Sequence, residues 1–147
     1  MNYTCGFADL SYANLTGANL TNARMFYANL TGANLNGASL NSTDLNNANL
    51  TNANLGQTAG SSTDLLYATL TGATLTGAYL PGANFTGANL TGAQLNGTWI
   101  TQGNFTNANF TNANLSYATM TGATLTGATG CSTVYPFGTL TAPPCTS

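Results

Sequence analysis

Residues 13–22 read A-N-L-T-G-A-N-L-T-N, two copies of one five-residue unit that runs through the chain without a shift of frame. From Leu10 to Leu125 every fifth position carries a large apolar side chain, Gly60 excepted: the 24 positions hold 17 Leu, three Phe, two Met and one Ile. Two residues before each stands Ala in 19 of the 24 units, and the exceptions Thr43, Thr58, Thr63, Thr98 and Gly103 are also small. A period of five matches neither the 3.6 of a helix nor the two of a strand, so every unit contains its own bend. One unit cannot bury its leucine alone and must stack on the next, which makes the chain a solenoid. The Gly, Asn and Thr that follow each centre are turn formers, and four such bends close a square.

The units A-N-L-T-G (13–17), A-N-F-T-G (83–87) and A-T-L-T-G (123–127) resemble the pentapeptide-repeat family, over about residues 6–128 without a break. That resemblance implies an all-β right-handed quadrilateral β-helix with four units per coil, and with the central Leu and preceding Ala turned inward. Residues 1–128 are expected to form about six regular coils of 20 residues, and no helical pattern is present. Residues 129–147, with Pro136, Pro143 and Pro144, read as an irregular cap or docking tail, since proline cannot donate to a ladder. At about 4.8 Å per coil the rod would be roughly 29 Å long.

Charged residues make up 3% of the chain: Arg24, Asp9, Asp44 and Asp64, with no His and no Lys. A soluble domain usually carries about a quarter, so charge repulsion hardly opposes self-association. Without a His or Lys for proton transfer, a Cys/His pair or a carboxylate cluster, the chain reads as non-catalytic, with no cofactor and no metal. Some relatives in the resembled family act as DNA mimics that bind type II topoisomerases. B-DNA carries one charge per about 1.7 Å, so a rod of this length would need roughly 17 acidic groups where this one has three. One Arg is equally no basic patch for nucleic acid. No apolar stretch reaches the length of a membrane span, and no signal-like segment opens the chain.

Folding at 20 residues per coil turns the sequence into columns. Inward, Phe85 and Phe105 become neighbours, and Gly60 is expected to leave a bulge or soft point. Outward, the first face is an uncharged grid whose threonine column is Thr31, Thr51, Thr71, Thr91 and Thr111 beside Asn29, Asn49, Thr69, Asn89 and Asn109. Such a lattice could dock ice or another ordered surface, although the repeat alone would also generate it. Tyr79 and Trp99 share one column, with Pro81 alongside, as an aromatic patch that could hold a protein. Arg24, Asp44 and Asp64 share another, where Arg24 can pair with Asp44 and where Asp44 above Asp64 is a like-charge neighbour. Phe26 and Leu66 are further outward apolar positions, and Tyr12, Tyr27, Tyr67 and Tyr117 fall at corners, capping the bends. N-x-[ST] triplets such as Asn14-Leu15-Thr16 and Asn84-Phe85-Thr86 arise automatically from the unit, and carry little weight as glycan acceptors.

Three cysteines cannot all pair within one chain. Cys131 with Cys145 would pin the tail, implying an oxidising compartment and favouring an extracellular or cell-surface location over the cytoplasm. Cys5 is then left over, seven whole coils from Cys145, and positioned to join stacked rods. The repeat begins almost at Met1, and an uncapped coil is a template for another strand. These features favour a non-enzymatic structural rod that associates end to end with itself as an oligomer or filament. The alternative is a side-face binding rod, using the Thr/Asn grid or the Tyr79 and Trp99 patch.

Overall fold

The computed structural model describes residues 5–130. They wind into a right-handed quadrilateral β-helix in which each residue before a central apolar position pairs in parallel with the residue 20 further on, from Asp9 with Asn29 to Asn109 with Thr129. The tail beyond, with the cap expected there, lies outside the described residues.

The five-residue unit explains the shape. Every centre's carbonyl except that of Gly60 accepts the N–H three residues on, as Leu10 O accepts from Ala13 N at 3.1 Å. The corner residue between them has φ near +60° at every bend, from Phe7 (61°) to Gly127 (68°). This is the geometry of a type II turn, which favours Gly or Asn at that corner. Coils are tied by backbone bonds in both directions: Leu30 N donates to Asn49 O at 2.7 Å, and Asn49 N donates to Ala28 O at 2.9 Å. Bonds of these two kinds recur from coil to coil, as a buried main chain requires.

Side chains then sort by position. The central Leu and the preceding Ala point inward; Leu30, Leu50, Leu70 and Leu90 stand one above the other, fully buried. Phe85 and Phe105 stack at 4.7 Å with planes 9° apart, as expected from the column they share. Only the outer coils loosen, where Leu10, Leu15, Leu20 and Leu125 are partly buried.

Gly60 keeps the coil-to-coil pairing but lacks the turn bond of the other centres, since no Thr63 N–H bond to Gly60 O forms. The column Ser39, Ala59, Tyr79 keeps its pairing on both sides, and Gly60 N donates to Tyr79 O at 2.8 Å, so the expected bulge is absent. Thr63 turns its hydroxyl into the space, donating to both Leu40 O and Gly60 O at 2.9 Å. The fully buried Thr43, Thr58 and Thr98 likewise spend their hydroxyls on carbonyls of the wall.

Candidate interaction surfaces

The first face is built from an Asx turn repeated coil after coil. Asn29, Asn49, Asn89 and Asn109 each use Oδ1 to accept the backbone N–H of the threonine two residues on, at 3.0–3.2 Å. The same oxygen accepts that threonine's hydroxyl at 2.7 Å, so Thr31, Thr51, Thr91 and Thr111 are held in one rotamer. Thr71 differs because Thr69, with no amide oxygen, stands where the other coils have Asn. All five threonines are half-buried along their column. With their protons donated sideways, four of them offer solvent lone pairs and a methyl group in fixed orientation.

Tyr79 and Trp99 are paired neighbours on the third face and are 51% and 55% exposed. Their rings make no ring–ring contact with each other, unlike the stack that a shared column leads one to expect. Pro81, beside them, contributes its carbonyl to Ser62 N at 2.9 Å.

The fourth face carries most of the charge. Arg24, Asp44 and Asp64 form one column, but Arg24 makes no ion pair with Asp44; its guanidinium lies 5.9 Å from the centre of the Phe26 ring. A cation over an aromatic face is attracted by the ring quadrupole, and this competes with a weak exposed ion pair. The carboxylates do the work of asparagine: Asp44 Oδ1 accepts Asn46 N, and Asp64 Oδ1 accepts Leu66 N, both at 3.1 Å. Like charges in one column are thereby explained as turn caps. Asp9 heads the Asn column of the first face, which is therefore not free of charge, and plays the same role there: the hydroxyl and N–H of Ser11, then Asn29, hold its carboxyl below the usual value.

An aromatic cluster that the column reading did not anticipate closes this face at its first coil. Phe7 stacks on Tyr27 at 5.1 Å and meets Phe26 edge-on at 5.6 Å. The Phe26 ring occupies the space above Gly6, while Phe7 remains 73% exposed. The spacing i, i+19, i+20 carried the signal, since 20 residues make one lap. The corner tyrosines act similarly: Tyr12 lies against Gly32 and Tyr67 against Gly87 in the following coil.

Cys5 is exposed and in no disulfide, and its N–H donates to Arg24 O at 2.7 Å. Cys131 and Cys145 lie outside the described residues. Among the described residues no group of three or more His, Cys, Asp or Glu side chains could hold a metal, and no helix is long and apolar enough to cross a membrane.

A family model described as pentapeptide repeats matches residues 5–41, 38–77, 68–107 and 100–129, with 8 copies. Among solved structures, HetL, a pentapeptide-repeat protein involved in heterocyst differentiation regulation from the cyanobacterium Nostoc sp., is 32% identical; the match covers 87% of this chain and 72% of HetL, with a TM-score of 0.46. Trypsin-treated QnrB1, a plasmid-mediated fluoroquinolone resistance protein, is 22% identical over 90% of this chain and 73% of its own, with a TM-score of 0.71. The second likeness is one of fold. No curated protein matches the chain.

Proposed function

The chain belongs to the pentapeptide-repeat family, and from that premise we propose a non-enzymatic rod that works by contact, associating end to end with further copies of itself. The observation that carries this reading is the coil-to-coil bonding. Asn29, Asn34 and Ser39 donate their N–H groups to Ala8, Ala13 and Ala18 of the preceding coil at 2.9 Å. Among the described residues, the main-chain N–H groups of Asp9, Asn14 and Asn19 make no such backbone bond. A strand edge of this kind is a template for another, and a formal net charge of −2 opposes stacking little. Non-closing head-to-tail contacts build filaments. Negative-stain microscopy and light scattering test it: species that lengthen with concentration support it, and a monomer at all concentrations overturns it.

A second reading rests on the locked Asn–Thr pairs of the first face. Rows about 4.8 Å apart, with residues of one row about 6.6–6.8 Å apart, present a fixed lattice to ice or another ordered surface. Thr71→Lys should abolish adsorption while leaving end-to-end assembly intact, and zero thermal hysteresis in the parent chain removes the ice version. The exposed Tyr79 and Trp99 offer a protein a neutral anchor on this reading.

A further inference from the structure

The fourth face is complementary to itself. Three successive rows cross it: Arg24, Phe26 and Tyr27; then Asp44, Asn46 and Asn47; then Asp64, Leu66 and Tyr67. The outer two rows lie one coil, about 4.8 Å, on either side of the middle one. They carry opposite charge and matching apolar character.

We propose that this face binds a second copy of the chain, rod against rod and antiparallel, about a two-fold axis lying along the middle row. Such an axis reverses the rod but preserves the strand direction, so each residue meets the one 40 positions away in its own column. Arg24 then faces Asp64 of the second copy, Phe26 faces Leu66, and Tyr27 faces Tyr67, each contact made twice, as an isologous interface demands. A two-fold axis along the rod would instead set Arg24 against Phe26. An axis between the first two rows would set the aromatic pair against Asn46 and Asn47. Only the middle-row axis matches charge and apolarity together.

The groups are ready for this contact. Arg24 is exposed, pairs with no carboxylate among the described residues, and is steadied over Phe26. Asp64 spends Oδ1 on Leu66 N and Asn84 Nδ2, which leaves its other oxygen for a cation. Tyr27 and Tyr67 are 53% and 59% exposed. One contact is unfavourable: Asp44 meets its own copy on the axis. This lateral pairing is independent of association through the rod ends.

Sedimentation equilibrium of the full chain should show a reversible dimer, and small-angle scattering should show a particle thicker than one rod but about as long. Arg24→Asp and Asp64→Arg should each weaken dimerisation by about tenfold or more, as like charges across an interface do. The double variant with both substitutions restores it, and Asp44→Asn strengthens it by removing the repulsion on the axis. Failure of the charge swap to restore, or weakening by Asp44→Asn, overturns the proposal. Particles that lengthen without thickening also overturn it while upholding end-to-end assembly.

Discussion

A methyl group on Gly103 would lie 2.7 Å from Cγ2 of Ile100 and 3.0 Å from the Phe105 ring. Where most other units place Ala, this one has none because the two centres that flank it are a β-branched Ile and a Phe. Gly103→Ala, a change toward the repeat's own pattern, should therefore destabilise the fold by about 1–3 kcal/mol, the usual cost of overpacking. Ile100→Leu removes the offending branch, so the double variant should recover most of the loss in denaturant unfolding. Equal stability of Gly103→Ala and the parent would refute this account of the core.

Thr63 is the converse case, a larger residue beside a missing side chain. Thr63→Val keeps the volume but strips the buried Gly60 carbonyl of the hydroxyl it accepts at 2.9 Å, which should cost about 1–3 kcal/mol. Thr98→Val should cost distinctly less, because Leu95 O retains the Thr98 N–H at 3.2 Å. Thermal unfolding of the two variants side by side checks the order.

On the first face, Asn89→Ala removes the acceptor of both the Thr91 N–H and its hydroxyl. A loss of about 0.5–1.5 kcal/mol is expected for such a local bond. Asn89→Asp should be close to neutral, since Asp44 and Asp64 cap the same turn with a carboxylate oxygen. A loss for Asp as large as for Ala would show that the cap is not what matters.

Stability should respond to acid through Asp9. The carboxyl of Asp9 is held below its ordinary value of 3.8 by its bonds to Ser11 and Asn29. A carboxyl depressed in the folded state contributes stability that is complete above the unfolded value and is lost as pH falls through the lower folded one. With no His in the chain, the unfolding midpoint should stay level from neutral pH down to the aspartate range and decline below it. Asp9→Asn should flatten part of that decline; a transition near pH 6 would contradict the assignment.

Much of this was legible in the residues because the repeat dictates its own geometry. Once five residues make a side and twenty a lap, Leu30 must stand under Leu50, and Phe85 must meet Phe105. What escaped depended on where a side chain leans. Gly60 suggested a defect because the column shows a missing leucine; the compensating hydroxyl comes from Thr63, around the corner. Arg24 had an aspartate in its column and a ring in its row, and the ring held it. Tyr79 and Trp99 were brought side by side by the backbone, yet rotamers separate the rings. Phe7 and Tyr27 share a corner column in which only the tyrosine was read, and Phe26 joins them from the neighbouring position.

The twenty-residue lap also constrains how such a gene can change length. Losing one unit of five would swing everything downstream through a quarter turn, carrying threonines to the side where charges had been and scrambling each surface. Losing four units together would shorten the rod while every remaining column stayed in line. Duplication and deletion by whole laps are therefore the edits that preserve a working exterior, and an ancestor or descendant of different length should differ from this chain in multiples of that step.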